Sequence, residues 1–300
     1  MKKFLVLLSA ILIVTSVCFA QENMGARPIA MGGAFTGLAD DANAIFLNPA
    51  GIGYIEGEVA AISTKISEGS EYTILGGVEN TPYGSFGVGY ISSSYIIEDL
   101  ETSSELVDAG DASNKNLNQT LVLSYGRQLN DFMVVPKFMG RLSLGTNVKF
   151  VSSKINNAKG LTSRSDSGLD LDLAAVFQPN DHISCGMSVR NILAAGSALE
   201  DSSEPSSPTM SAGIAGRLLN DSLIISLETG AAGVEVKLMP ELALRVGRDG
   251  DYTTGGIGVS LNGVGIDYAY LKKAEPVHYI AISLAFDNPT DTRQASIIKE

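Results

Sequence analysis

The chain has 300 residues, of which 45% are hydrophobic, 18% are charged and 32 are glycine, and its formal net charge is −12. A chain this apolar is not intrinsically disordered, and one this rich in glycine is a poor helical bundle. The acidic balance argues against a nucleic-acid partner, because no continuous basic patch is available to neutralise phosphates.

The first twenty residues have the pattern of a secretory signal peptide. Two lysines follow the initial methionine, an apolar run continues through Val14, and small residues precede a cleavage site after Ala20. The alternative is a lipoprotein signal acylated at Cys18, although the valine before that cut is larger than expected. Cleavage after Ala20 removes both lysines and changes the net charge from −12 to −14. It also leaves Cys185 as a lone thiol, which excludes an intrachain disulfide.

Residues 21–57 are built from small residues and show little period-2 alternation, so we interpret them as a plug that later strands enclose. A short helix is expected from Ala42 to Leu47, capped by Asp40 or Asp41 and ended by Pro49. The plug is either a gate that rearranges or a static stopper that fills the barrel. The positions that define its motif are Gly25, Ala26, Arg27, Met31, Gly32, Gly33, Asp40, Asp41, Asn48, Pro49, Ala50 and Gly51.

Arg27 is the only charged residue between positions 22 and 40. A buried guanidinium requires a carboxylate partner. We therefore expect it to pair with a carboxylate of the barrel lumen, such as Asp170, Asp172 or Asp267.

From residue 58 to 286 the chain alternates apolar with small or polar residues, as a strand does when one face meets lipid and the other a lumen. In residues 141–151, for example, Leu142, Leu144, Val148 and Phe150 share one face. About fourteen such segments are present, and twelve remain possible. Outside the signal, no run approaches the roughly 18 apolar residues of a membrane helix. The sequence therefore predicts an all-β fold, a transmembrane antiparallel β-barrel with the plug inside and a short tail, residues 287–300.

Connection lengths support this prediction, because outer-membrane barrels have short periplasmic turns and longer external loops. Even-numbered connections are mostly tight, including Asn262-Gly263, which is typical of a two-residue hairpin. Odd-numbered connections include the long polar stretches 95–116, 153–165 and 193–207. The stretch 128–137 is a medium-length exception on the short side.

The face opposite the apolar one carries charges of both signs. We interpret these residues either as a binding or selectivity lining or as a structural network of ion pairs across strands, which mixed signs favour. The predicted lumen residues are Arg141, Lys149, Asp170, Asp172, Arg190, Arg217, Glu228, Glu235, Lys237, Arg245 and Asp267.

The motif from Gly25 to Ala44, the Asn48-Pro-Ala-Gly51 that follows it and the final strands resemble the FadL-like superfamily of outer-membrane barrels, specifically its PorV/PorQ-type branch. This resemblance implies a fourteen-stranded barrel with an N-terminal hatch, outer-membrane lipid around it and the barrel-assembly machinery as a partner. The chain departs from the family pattern in two respects: residues 287–300 follow the last aromatic residue, Phe286, and the chain has no tryptophan.

Two functions follow from the resemblance. One is a secretion or assembly scaffold that engages secreted proteins, which the polar outer connections favour; the alternative is passive transport of a hydrophobic small molecule. Catalysis is not expected, because His182 and His278 are the only histidines and neither is placed as a base beside a nucleophile. No cofactor or metal is predicted.

Overall fold

A computed structural model describes residues 25–67, 70–97, 114–133, 140–156, 164–193, 208–273 and 276–285. The predicted signal peptide, the tail and the middle of each long polar connection lie outside these residues.

Fourteen strands and four short helices make up the described chain, and the predicted strand number is confirmed. The helices are α1 (Ala26–Ala30), α2 (Ala44–Leu47) and two 3-10 helices, Pro49–Tyr54 and Leu129–Asp131. The strands are β1 (Gly57–Ser67), β2 (Ser70–Thr81), β3 (Gly84–Ile97), β4 (Asn114–Gln128), β5 (Arg141–Asn156), β6 (Arg164–Asn180), β7 (Ile183–Arg190), β8 (Thr209–Leu218), β9 (Leu223–Glu228), β10 (Ala231–Met239), β11 (Leu242–Asp249), β12 (Tyr252–Leu261), β13 (Val264–Lys272) and β14 (Val277–Ala285).

The strands form one closed antiparallel barrel in which each strand pairs with its neighbours in sequence. Closure is made by β1 and β14, where Glu58 lies opposite Ala285 and Ser63 opposite Ile280. Because a closed sheet has no edge, every strand has a hydrogen-bonding partner on both sides.

Large apolar side chains cover the outside of the barrel. Leu173 and Ile280, for example, are 51% and 59% exposed, whereas their strand neighbours Asp172 and Tyr279 are buried. An apolar exterior of this extent is stable in lipid and not in water. None of the described helices is long and apolar enough to cross a bilayer.

The barrel wall is uneven in height. Strands β3 to β6 are 14 to 17 residues long, whereas β9 has only six. The sequence prediction assigned residues 95–116 and 153–165 to connections, whereas these four strands extend into both stretches. Their extra residues are mainly serine, asparagine and charged residues on both faces, so they lack the alternation that lipid imposes on the membrane-spanning part.

The plug lies inside the barrel and is almost completely buried. Phe35, Leu38, Ile45 and Ile52 are each no more than 1% exposed, and they form one core with inward-facing residues of the wall. Its regular structure is limited to the single turns of α1, α2 and one 3-10 helix, and Gly32, at φ 65°, allows one of the intervening turns.

The predicted capped helix of the plug is wrong at its start. Helix α2 begins at Ala44 and not at Ala42, and neither Asp40 nor Asp41 caps it. Asp41 instead accepts hydrogen bonds from the backbone and side-chain nitrogens of Asn43, 2.9 and 2.7 Å away. This local turn competes with the helix for those residues.

Candidate functional site

The interface between the plug and the inner wall is the candidate functional site. Because the plug has little secondary structure, its backbone polar groups need partners from the wall. Ser143 donates to the carbonyl of Ala50 at 2.7 Å, and Ser184 donates to that of Gly37 at 2.6 Å. Asn147, Thr254 and Gln128 donate in the same way to other plug carbonyls.

The sequence prediction did not include these five wall residues among the candidate site. In the sequence, each of them is a small polar or amide residue at an inward-facing position. Such a residue can contact either a plug or water, so the pattern alone does not identify a plug contact.

Within the plug, Asn48 links two turns. Its amide nitrogen donates to the carbonyl of Thr36 at 2.7 Å, and its side-chain oxygen accepts from the amide of Ala50 at 3.2 Å. The side chain is fully buried. Asn48 therefore holds the 3-10 helix that begins at Pro49 against the preceding loop, which explains the use of asparagine at this motif position.

Glycines of the wall let the plug backbone approach the strands directly. A methyl group at Gly186 of β7 would overlap the carbonyl oxygen of Thr36, and one at Gly145 of β5 would overlap the amide of Ala50. Gly233 and Gly247 meet the backbone around Met31 and Gly32 in the same manner. These contacts fix the plug against β5, β7, β10 and β11 with no space between the two backbones.

Arg27 is the centre of an ion-pair network that joins the plug to the wall. It donates to Asp40 at 2.6 Å and Asp41 at 2.9 Å within the plug, and to both carboxylate oxygens of Glu235 on β10, at 2.9 and 3.3 Å. Arg27 pairs with a carboxylate of the lumen, as predicted, but with none of the three named examples, Asp170, Asp172 and Asp267. Helix α1 packs against β11 to β14, away from Asp170 and Asp172 on β6, and Asp267 on β13 pairs with Arg245 instead. The carboxylate of the wall that it reaches is Glu235.

Two further arginines extend the network along the wall. Arg217 of β8 donates to the second oxygen of Asp40 at 3.1 Å. Arg245 of β11 donates to Glu235 at 2.6 Å and pairs with Asp267 of β13. We call these seven residues the Arg27 network: Arg27, Asp40, Asp41, Arg217, Glu235, Arg245 and Asp267.

Two more carboxylates of the wall accept hydrogen bonds from plug amides. Glu228 of β9 accepts from the backbone amides of Phe35 and Thr36, at 3.0 and 2.8 Å, and from the Thr36 hydroxyl at 2.8 Å. Glu58 at the start of β1 accepts from the amide of Ala42 at 3.0 Å. Glu58 was not among the predicted lumen residues, because its strand has weak alternation.

The remaining predicted lumen residues lie away from the plug contacts of the Arg27 network. Lys149 pairs with Asp172 at 2.7 Å and Asp170 at 3.5 Å. Both carboxylates also accept from backbone amides after β7, including that of Asn191, so this cluster holds the end of that strand. Arg190 is also buried.

Arg141 and Lys237 are exposed near the short-turn end of the barrel and do not line the enclosed lumen. Arg141 pairs with the exposed Asp181 at 2.9 Å. Lys237 faces solvent close to the turn between β10 and β11. Both have the inward parity of their strands. Lys237 lies at the rim, whereas Arg141 lies over the ring of Tyr54 at the end of the plug, 5.7 Å from its centroid.

The surroundings of the plug shift the pKa values of its ionisable groups in different directions. Burial alone raises the pKa of Asp40, but the guanidiniums of Arg27 and Arg217 outweigh it and hold this pKa below its usual value. At Asp41 burial dominates, with Asp40 adding to it, and the pKa is raised despite Arg27. Burial lowers the pKa of Arg27, and the carboxylates around it more than compensate, so that its pKa is raised.

We expect Asp40→Asn to loosen the plug more than Asp41→Asn. Asp40 accepts from two guanidiniums, and hydrogen bonds to charged groups each contribute about 1.5–3 kcal/mol, whereas burial already disfavours the charged form of Asp41. Proteolysis of the plug in detergent-purified protein measures the difference. Equal cleavage rates of the two variants would show that the two carboxylates contribute alike.

The described residues contain no cluster of side chains suited to a metal ion. His278 faces outward on β14, and its Nδ1 lies 2.7 Å from the hydroxyl of Tyr268, with the ring of Tyr270 beside it. A histidine among tyrosines on the outer surface is typical of the interface between lipid and water.

Together, the closed fourteen-stranded barrel, its apolar exterior and the enclosed N-terminal plug give the chain the fold seen in solved FadL-type outer-membrane β-barrels. The P. putida toluene transporter TodX has this fold, with a TM-score of 0.58 and 13% sequence identity over 89% of this chain and 99% of that one. A FadL homologue of Pseudomonas aeruginosa gives a TM-score of 0.56 and 12% identity over 90% and 100% of the two chains. No family model matches the sequence, and no curated protein is significantly similar to it.

Proposed function

We propose that this protein is a passive outer-membrane channel for hydrophobic small molecules, closed by its plug. A solved structure with the same fold supports the substrate class, since TodX is named as a toluene transporter and, in a variant structure, as a monoaromatic hydrocarbon channel. Transport in this class needs no cofactor and no catalytic group.

The observation that carries the proposal is the difference between the two sides of the plug. On the side of β8 to β13 the plug is held by the Arg27 network. At the level of Phe46 and Ile45 the plug meets β2 and β3 by apolar contact, because these side chains pack onto Gly76, Gly87 and Gly89. The hydrogen bonds from Asn80 of β2 and Gln128 of β4 to plug carbonyls lie at the short-turn ends of those strands. Among the described residues, no ion pair joins the plug to these three strands.

This asymmetry determines which solute can displace the plug from the wall. An apolar molecule can replace the contact of Phe46 with glycines at little cost, because one apolar surface is exchanged for another. A polar solute gains nothing there, because the glycine backbones already pair within the sheet. The β2 to β4 side is therefore where a hydrophobic ligand competes with the plug.

Uptake into proteoliposomes tests the proposal. We expect radiolabelled toluene or a long-chain fatty acid to enter faster than into protein-free liposomes, and a sugar of similar size to gain much less. Replacing Gly89 by valine should speed hydrophobic uptake, because the added Cβ displaces Phe46 from the wall, whereas Gly216→Val, whose added Cβ meets nothing within 4 Å, should not. Uptake of hydrophobic and polar solutes at the same rate would contradict the proposal.

The secretion scaffold of the PorV/PorQ type stays a prediction. It depends on the polar outer connections, and most of residues 98–113 and 194–207 lie outside the described residues. Stoichiometric co-purification of an exported protein, together with no hydrophobic uptake, would favour the scaffold over the channel.

A further inference from the structure

Two basic side chains lie on the outer surface of β11 to β13, at the end of the barrel that carries the long polar connections. Arg248 of β11 lies opposite Thr253 of β12, which in turn lies opposite Lys272 of β13. Cross-strand partners share one face of a sheet, and all three residues are exposed. Because neighbouring strands are about 4.8 Å apart, the two basic residues leave their strands about 10 Å apart, with the Thr253 hydroxyl between them.

Both cations are accessible to a ligand. The guanidinium of Arg248 lies 3.8 Å from the carboxylate of Asp251, which is fully exposed, and an exposed pair of this kind contributes little. Among the described residues, no carboxylate forms an ion pair with the Lys272 ammonium. Asp249, the other carboxylate at this end of β11, has inward parity and is half-buried. The outer surface therefore offers two positive charges without a strong partner for either.

The surface has a notch beside these cations, on the side toward the membrane. Gly255 is the next outward-facing residue of β12 after Thr253, and it lies between Val246 of β11 and Tyr270 of β13. A Cβ added to Gly255 would meet only the backbone carbonyl of Arg245, at 3.7 Å, so the outer side of the strand is open there. Ile257, the following residue on this face, is exposed. The notch therefore continues onto the apolar surface that faces lipid.

Aromatic contacts hold one wall of the notch in place. The rings of Tyr270 and His278 have centroids 5.4 Å apart, and the Tyr268 hydroxyl lies 2.7 Å from the Nδ1 atom of His278. Side chains with an apolar ring and a polar end favour the boundary between lipid and water. Gly255 thus lies at the level where acyl chains meet headgroups, and the two cations lie on the headgroup side of it.

We propose that this surface binds one phosphate-bearing lipid of the outer leaflet. We call it the basic flank, and it consists of Arg248, Thr253, Gly255, Tyr270, Lys272 and His278. The lipid phosphate lies between Arg248 and Lys272, over Thr253, and one acyl chain lies in the notch and continues along Ile257. A guanidinium binds phosphate through parallel hydrogen bonds and an ammonium binds it as a point charge, while the hydroxyl supplies one more donor.

Local geometry, and not the overall charge, accounts for this binding. The chain has a formal net charge of −12, which repels an anionic lipid at long range. Salt screens that repulsion beyond a Debye length of about 8 Å, whereas a phosphate held by both cations is in direct contact with them. The basic flank therefore selects for a phosphate group on a lipid that is already in the leaflet.

Native mass spectrometry of the detergent-purified protein, titrated with diphosphoryl lipid A, tests the phosphate contacts. We expect the parent protein to bind one lipid A molecule at its tightest site. The double variant Arg248→Ala/Lys272→Ala should weaken this binding by about tenfold or more, because hydrogen bonds between charged groups are lost. Lipid A freed of its phosphates should bind the parent protein as weakly as diphosphoryl lipid A binds the double variant.

The double variant Arg141→Ala/Lys237→Ala is the matched control, since it removes the same two charges from exposed residues at the short-turn end. It should bind diphosphoryl lipid A as the parent protein does. Equal affinities of the parent protein and the Arg248→Ala/Lys272→Ala variant, or equal losses in the two double variants, would overturn the proposal. Equally tight binding of phosphate-free lipid A would also overturn it.

Gly255→Leu tests the notch without removing a charge. The new side chain fills the space beside β12, so lipid A should bind severalfold more weakly. Gly77→Leu is the control, because Gly77 also lies on the outer surface, beside the exposed Val59 of β1, and is remote from the basic flank. Heat-modifiable mobility on gels shows that each variant has formed its barrel. An unchanged affinity in Gly255→Leu would overturn the assignment of an acyl chain to the notch.

The basic flank is independent of the plug and of the proposed channel. The side chains of Arg248 and Lys272 project from the outer surface, whereas the plug is packed inside the barrel. Protection of the plug from protease and hydrophobic uptake should therefore be the same in the Arg248→Ala/Lys272→Ala variant and in the parent protein. A parent protein without hydrophobic uptake would contradict the channel and leave the basic flank standing.

Discussion

Replacing Arg27 by alanine is expected to release the plug and raise permeability to small solutes. The substitution removes the guanidinium that joins Asp40 and Asp41 of the plug to Glu235 of the wall. Among the described residues it leaves Asp41 without a cationic partner, whereas Arg217 still bonds Asp40 and Arg245 still bonds Glu235. Removing one partner of a buried ion pair costs about 3–5 kcal/mol, and here a single guanidinium serves three carboxylates. The substitution therefore destabilises the seated plug by this free energy relative to a displaced plug, because displacement lets the carboxylates become hydrated.

Liposome swelling in a small sugar and protease cleavage of the plug measure the effect together. Arg248→Ala is a suitable control, since the Arg248 side chain is exposed, donates to the nearby Gly250 carbonyl and pairs with Asp251 in the same turn. Arg27→Lys should be intermediate, because an ammonium cannot reproduce the planar geometry of the guanidinium. A swelling rate and a cleavage rate that both match the parent protein would show that the Arg27 network does not hold the plug.

Replacing Gly186 by valine is expected to keep the plug from seating while the barrel still forms. The first carbon of the new side chain would overlap the carbonyl of Thr36, and Asn48 lies beside it. Neither side can move aside easily at this point, because the backbone of the wall and the backbone of the plug are in direct contact. Valine itself suits a strand, so the barrel should retain its heat-modifiable mobility on gels.

Gly216→Val on the adjacent strand is the matched control, because its side chain would meet nothing within 4 Å. We expect Gly186→Val to expose the plug to protease and raise swelling, and Gly216→Val to change neither. If Gly186→Val behaves as its control, the plug does not depend on this contact.

The barrel was predictable from sequence because lipid imposes a simple rule on each strand. In β5, Leu144 and Val148 had to face outward, whatever their neighbours were, and segments with this parity indicated about fourteen strands, with twelve still possible. The rule fails where lipid is absent. The serine-rich end of β3 and the asparagine-rich start of β4 carry no alternation, so the sequence did not reveal that these strands continue.

The contacts of the plug were not predictable for a different reason. Arg27 and Glu235 are 208 positions apart in the chain, and nothing in either segment encodes which part of the lumen α1 faces. The sequence indicated only that Arg27 needed a carboxylate. Glu228 and Arg245 were expected to face the lumen, but their engagement of Thr36 and of Glu235 emerged only from the assembled barrel.

The dependence of the plug backbone on wall side chains has a consequence for assembly. Ser143, Asn147, Ser184 and Thr254 satisfy plug carbonyls from three different strands, β5, β7 and β12, so residues 25–56 have no stable conformation of their own before those strands are in place. The first and last strands close the barrel, and the plug precedes the first. The plug must therefore enter the lumen before β14 pairs with β1. The yield of correctly assembled protein then depends on the rate of plug insertion relative to the rate of barrel closure.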